Sequence, residues 1–424
     1  MLLKQTTDRL AFFIFSVWIL LLPFSVFTKY YMGNMAIDKL LAPLLLGLWL
    51  ILFATSRYSL SKAKVYLLCL AAAFFIARNL SFFADLSIGS DYFWADAVNF
   101  GYFCLPLLFV DTAARSKIAL RLVSVNAMFG CISVFLVALG VISLPIQRLS
   151  ASRVGIEALP KSIGLFVSYG DLAQYAAMLV LIAVFVPAVF ANNKSTRRAL
   201  RLFVSIIVVA GLIGAQSRSY FLSVVGSLSI SAILLYQSKR VGIAKSLLVL
   251  VIAGLLGAIL LPVTYGPIVD ALTGMGGSEG VHTARGRLYL YDLAIDVIGR
   301  HSIFFGVDAA FYRTSPDFAQ SIHNIWLSQM TRGGLVSVLL LMVLLYRVLS
   351  RAIRVAKVKE FRHVGIVTVG YMVAVLISTL FYPGDSNLFW TLLGIMSGIV
   401  YSVRPEKSKA PSHARPIDAH LRPL

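Results

Sequence analysis

The sequence predicts an all-α polytopic membrane protein of about twelve transmembrane helices, with a large ordered loop between helices nine and ten. Three observations carry this. Of the 424 residues, 59% are hydrophobic and only 13% charged, and mean hydropathy is +0.86. A soluble domain has roughly 45–50% apolar and about 25% charged residues. Second, the apolar runs approach the length that crosses about 30 Å of hydrocarbon at about 1.5 Å per residue. Barrel strands would alternate in short segments, so helices are the remaining way to satisfy a backbone in lipid. Third, the basic residues fall in alternate loops.

Taken in order, the spans are 10–28, 36–54, 63–77, 94–111, 118–143, 172–191, 199–215, 219–236, 246–264, 326–346, 364–382 and 388–402. The first is long and bulky and has no small-residue cleavage site, so it reads as a retained helix and not a signal peptide. The seventh and eighth are parted only by Gln216, Ser217 and Arg218. A single kinked helix is the alternative there, but about 38 residues exceeds one span. This divides the chain into helices one to nine (1–264), a loop or cap (265–325), helices ten to twelve (326–402) and a basic tail (403–424).

The formal net charge is +20. On a soluble protein that would suggest nucleic acid; here it is first a topological signal. One set of loops, with the two termini, holds 25 of the 38 Lys and Arg residues. It includes Lys62 and Lys64, Arg115 and Lys117, Lys194 to Arg201, and Arg347 to Arg362. By the positive-inside rule both termini are cytoplasmic. The tail after Arg404 is polar and basic, and reads as disordered chain able to lie on anionic headgroups. Cys69, Cys104 and Cys131 lie in apolar runs and read as small core residues, with no disulfide and no metal cluster expected.

The opposite face has two long connections, about 145–171 and 265–325. Within the second, Leu288–Ile298 has helical spacing with Asp292 and Asp296 on one face, short enough to lie at the interface. A structureless loop of that length is unusual unless functional. This face should be poor in arginine, yet it holds Arg153, Arg218, Arg285, Arg287, Arg300 and Arg313, and Arg332 stands in the first turns of an apolar helix. Charges at such depth are costly and usually functional. For Arg300 and Arg313 a surface pair with Asp292, Asp296 or Asp308 is the simpler reading. Arg218 and Arg287 adjoin apolar helices beside small residues, where guanidinium forks suit a phosphate. A pyrophosphate-bearing lipid of the outer leaflet is the natural ligand.

His323, followed by Asn324, stands where the large loop re-enters the membrane. A histidine titrates near pH 6.5 and can take a proton from an attacking hydroxyl. His282 and His301 lack that setting and read as surface residues. There is no Asp-x-Asp, Cys-x-x-Cys, phosphate loop or nucleophile elbow. The acidic residues are scattered, so a divalent metal is not expected, and arginine would neutralise the leaving group.

Four segments resemble the O-antigen ligase and polymerase superfamily. HNIWLSQMTRGGLVS resembles the ligase signature through His323, Asn324, Leu327 and Gly334, with Ser337 in place of a second glycine and Arg332 where an acidic residue is usual. TARGRLYLYDLAI resembles a Gly-Arg-x-x-x-aromatic segment, followed by a Gly-Val turn, Gly306-Val307, with Asp308 for the usual glycine. AQSRSYFLS resembles the Ser-Arg turn between two central helices. RVGIEALPKSIGLFVSYGDLAQYAAML resembles an Arg-x-Gly loop leading into the sixth helix, with Asp171 where asparagine is common. The resemblance covers roughly residues 145–400, in the family's order.

It implies a cofactor-free glycosyltransferase in the bacterial inner membrane, with its active site periplasmic. The donor would be an undecaprenyl-diphosphate-linked glycan and the acceptor lipid A-core, with inversion at the anomeric carbon. Arg153, Arg218, Arg285 and Arg287 would hold the diphosphate; His323 would orient or deprotonate the acceptor, supported by Asn324. The single large loop and the His-Asn pair favour a ligase. A polymerase joining repeat units is the alternative, since 145–171 is also sizeable. A lipid or polysaccharide transporter would show inverted repeats and mid-helix ionisable groups. No repeat is visible, and Lys39 and Asp96, the possible exceptions, lie near predicted helix ends.

Overall fold

The computed structural model describes residues 2–24, 37–55, 60–80, 90–142, 165, 169–185, 194–215, 217–237, 278–300, 302–307, 324–380 and 386–403. Among them are twelve α-helices: α1 (Leu2–Leu21), extended by a 3-10 turn at Leu22–Phe24, α2 (Ile37–Ala54), α3 (Lys62–Arg78), α4 (Ser90–Phe109), α5 (Ala113–Ala138), α6 (Tyr169–Phe185), α7 (Lys194–Ala215), α8 (Arg218–Gln237), α9 (Ser278–Arg300), α10 (Ile325–Lys357), α11 (Arg362–Thr379) and α12 (Asn387–Ser402). Eleven fall on predicted spans; the span 246–264 lies outside the described residues. Six helices are long and apolar enough to cross a membrane, and four shorter apolar helices accompany them. Large apolar side chains such as Leu44, Ile51, Phe129, Ile206 and Ile233 point outward, as lipid contact requires.

The helices pack by small residues, because lipid gives no hydrophobic drive for association. On α12, Gly394 and Gly398 lie four apart. A Cβ on Gly394 would collide with the Phe103 carbonyl of α4, and one on Gly398 would come within 2.9 Å of the Pro106 carbonyl. Serines play the same part on α8: Ser223 Oγ donates to the Ala374 carbonyl at 3.4 Å and Ser227 Oγ to that of Gly370 at 2.8 Å on α11. α7 and α8 are separate helices joined at residues 216–217, and they go to different neighbours. α7 packs mainly along α5 and α8 mainly on α11, and α6 touches both.

One end of the bundle is basic, and its cations close helix ends. Lys64 Nζ donates to the Leu107 and Val110 carbonyls, 2.7 and 3.1 Å, at the end of α4. Arg351 does the same for α12, donating to the Val400 and Val403 carbonyls at 3.2 and 2.6 Å. Cations suit helix C-termini, where carbonyls lack partners and the dipole is negative. Arg115 pairs with Asp8 at 2.6 Å and with Asp111 at 3.2 Å. Burial raises the Asp111 carboxyl above its ordinary value, against the opposing pull of Arg115 and Lys64. These contacts, with Ser116 Oγ 3.2 Å from Ser402 Oγ, place the start of α1, the α4–α5 turn and the end of α12 together. The motif-bearing ends of α6, α8 and α10 lie opposite.

Two expectations need correction. Cys69 is exposed on the outer face of α3, although Cys104 and Cys131 are buried; all three are free. Apolar sequence context could not tell an inward from an outward face on a helix that is apolar all round. The loop helix is also longer than its apolar pattern suggested, running Ser278–Arg300. Its first half, SEGVHTARGR, is polar and carries no hydrophobic period to read.

Candidate functional site

The site builds from the start of α10. Asn324 is its N-cap, with extended backbone (φ −155°, ψ 120°). Its Oδ1 accepts from the N–H groups of Trp326 at 2.9 Å and Leu327 at 3.1 Å, satisfying two of the donors a helix start leaves open. The described role of Asn324 is therefore to fix where the helix begins, directly after position 323. His323 itself lies outside the described residues.

Two turns on, α10 breaks at Gly334 (φ 64°, ψ −166°), a conformation essentially reserved for glycine. A break frees backbone groups that must find other partners, and the turn Ser302–Val307 supplies them. Leu335 N donates to the Ile303 carbonyl at 2.8 Å, Val336 N donates to that of Phe304 at 3.3 Å, and Val307 N donates to that of Thr331 at 2.6 Å. The approach is so close that a Cβ on Gly334 would collide with the Phe304 carbonyl. Gly306 (φ +74°) faces the break from the other side; its Cβ would lie 2.6 Å from the Thr331 carbonyl oxygen. The Gly-Val turn and the segment Asn324–Gly334, separate in sequence, are thus one structural unit.

α9 is joined to the same unit. Its Ala294 and Val297 pack with Val307 and Leu327. The backbones of Arg285 and Arg287 belong to this helix and that of Arg218 opens α8; their side chains, and all of Arg153 and Arg313, lie outside the described residues. Beside Arg218, Ser217 and Ser219 are buried and hydrogen-bonded to each other at 3.0 Å. Arg300, as the simpler reading had it, pairs with Asp296 at 2.7 Å in an exposed i,i+4 bridge.

Beneath the break, three helices meet at one carboxylate. Asp96 of α4 lies 3.2 Å from Arg78 of α3 and 3.3 Å from Arg332 of α10. Asn79 donates to the same oxygen at 2.8 Å. The Arg78 side chain is 0% exposed, that of Asp96 3% and that of Arg332 14%. Gly333 makes room, since its Cβ would sit 2.8 Å from the Arg78 Cα. Asp96, in the second turn of α4, is the buried tie between α10 and the bundle. Arg78 was not singled out at all. Its signal was available, an arginine closing an apolar run on the face otherwise poor in cations.

A second polar tie lies at the same end. Ser386, the N-cap of α12, donates to Asp171 at the start of α6, and Gln174 Nε2 donates to Ser378 of α11 at 2.8 Å. Asp171 thus holds two helix starts together where the family pattern has asparagine. At this end of the bundle α3, α4 and α10 are tied through Asp96, and α6, α11 and α12 through Asp171 and Gln174, a base on which a loop-borne site can stand.

Comparison with known proteins agrees with the motif fragments. Residues 203–342 match the family described as O-antigen ligase, a stretch that includes most of α7, all of α8 and α9, the turn and the break in α10. No curated protein matches the chain. The matched stretch is similar to that family over part of the chain, and it carries the segments around Arg218, Arg287, Gly306 and Gly334.

Proposed function

We propose that the protein is an O-antigen ligase of the bacterial inner membrane, with both termini cytoplasmic and its motif end periplasmic. It transfers a glycan from undecaprenyl diphosphate to a hydroxyl of lipid A-core. The observation supporting this is the single unit formed by α9, the Gly306 turn and the broken start of α10. That unit ties the helix bearing Arg285 and Arg287 to the helix that His323 precedes.

In this reading Arg153, Arg218, Arg285 and Arg287 bind the diphosphate. His323 orients the acceptor hydroxyl and takes its proton as the oxygen attacks the sugar C1. The bond from C1 to the diphosphate oxygen breaks, and the arginines stabilise the charge that departs. Asn324 positions His323 through the cap. The reaction needs no divalent ion, because the guanidinium groups occupy the role a metal would take.

Deleting the gene tests the reading on a lipopolysaccharide gel. The expected pattern is core carrying no O-antigen, restored by the gene in trans. Core capped with a single repeat unit would overturn the ligase assignment and indicate a polymerase. Arg287→Lys tests the diphosphate contact, because it keeps the charge and loses the planar fork. Transfer should fall by about tenfold, equivalent to about 1.4 kcal/mol, the scale of one charge-assisted hydrogen bond. An unchanged rate at normal protein level would remove the paired contact.

A further inference from the structure

The turn Ser302–Val307 presents three apolar side chains outward, Ile303, Phe304 and Phe305, at 50%, 61% and 54% exposure. Much of its backbone, by contrast, is paired. Phe305 N donates to Ser302 Oγ at 3.2 Å and Gly306 N to the Ser302 carbonyl at 2.8 Å. The Ile303 and Phe304 carbonyls accept from α10, and Val307 N donates to it. A turn in water has no need of such pairing, since water would serve. A turn in hydrocarbon has no alternative, because each unmet group there is costly.

The depth of the turn follows from the charges on α10. Between Arg332 and Arg347 lie fourteen uncharged residues, Gly333 to Tyr346. At 1.5 Å per residue they span about 21 Å, short of the roughly 30 Å of hydrocarbon. The hydrocarbon therefore reaches to the level of the break or past it, where Thr331, Leu335 and Val336 bond the turn. Leu339 and Met342 continue down α10 with 50% exposure each, part of the outward apolar surface that lipid covers.

We propose that Ser302–Val307 is a membrane-inserted tip, whose Ile303, Phe304 and Phe305 side chains sit among the acyl chains of the bilayer and anchor the break in α10 at the lipid boundary. The tip gives the α9–α10 unit a fixed depth. It stands whether the enzyme is a ligase or a polymerase.

Spin labels test it in full-length protein reconstituted into phosphatidylethanolamine–phosphatidylglycerol vesicles, with Cys69, Cys104 and Cys131 replaced by alanine. Labels are placed by Phe304→Cys, by Leu339→Cys as the lipid reference and by Asp296→Cys as the water reference. The label at 304 should match that at 339 in collision with oxygen. It should be about tenfold less accessible than that at 296 to a polar nickel chelate, which hydrocarbon excludes. Nickel access equal to that at 296 would put the tip in water and overturn the proposal. Low access to both reagents would put protein over it, a second copy included, and equally overturn it. Phe305→Cys is the replacement should the first variant not fold, and is read by the same criteria. Glycan transfer is not the readout, so failure here is distinct from failure of the ligase assignment.

Discussion

Gly334→Ala should abolish glycan transfer while the protein still reaches the membrane at normal level. The break occupies a region of backbone space where a side chain costs about 1–3 kcal/mol, and the new Cβ would meet the Phe304 carbonyl. The chain has an easy escape. Alanine favours helix over glycine by about 1 kcal/mol, so α10 can straighten and return the Leu335 and Val336 amides to its own ladder. Straightening expels the turn, parts α9 from α10 and swings the helix start that carries Asn324. A displacement of about 1 Å at a reacting centre can cost about a hundredfold in rate, and this one is larger. The control is Gly299→Ala, where an added Cβ meets nothing within 4 Å and transfer should be unchanged. Full activity of Gly334→Ala would show that the break is not part of the site.

Asp96→Ala should be the most destabilising of the single changes considered. The carboxylate is buried between Arg78 and Arg332 and also accepts from Asn79. Removing one member of a buried charge network costs about 3–5 kcal/mol, because the cations stay behind in low dielectric without it. Thermal unfolding in detergent should show a large drop in midpoint. The triple variant Arg78→Met, Asp96→Leu, Arg332→Met should recover most of it, since apolar residues of similar volume often replace a buried ionic network at no loss. Recovery of stability without transfer would give the network a role in placing α10. Unchanged unfolding of Asp96→Ala alone would refute the buried tie.

Much of the fold was legible because transmembrane helices announce themselves by length and apolarity. Even the separation of α7 from α8 followed from span length, although Arg218, read as part of the turn, opens α8. The first half of α9 was not legible, since its polar sequence has no periodic apolar face to display. The site was legible in its parts and not in its assembly. Gly306 and Gly334 could be read as motif positions, but that each turns to admit the other depends on a crossing of backbones 28 residues apart. Asp96 and Arg332 are 236 residues apart, and their pairing lies in how α4 and α10 pack. Asn324 was read for its chemistry and is seen in the structure as a cap, a role that its position before an apolar run already offered. His323, Arg153 and the side chains of Arg218, Arg285 and Arg287 carry the proposed chemistry on the strength of sequence.

The most direct measurement is transfer by the purified protein in vesicles, supplied with undecaprenyl-diphosphate-linked glycan and lipid A-core in the presence of a metal chelator. The account predicts one undecaprenyl diphosphate released for each glycan joined to the acceptor. His323→Ala should slow that release by about a hundredfold or more, the usual contribution of a positioned general base, with donor binding retained. Movement of intact donor across the membrane without release of diphosphate, or full activity in His323→Ala, would contradict it.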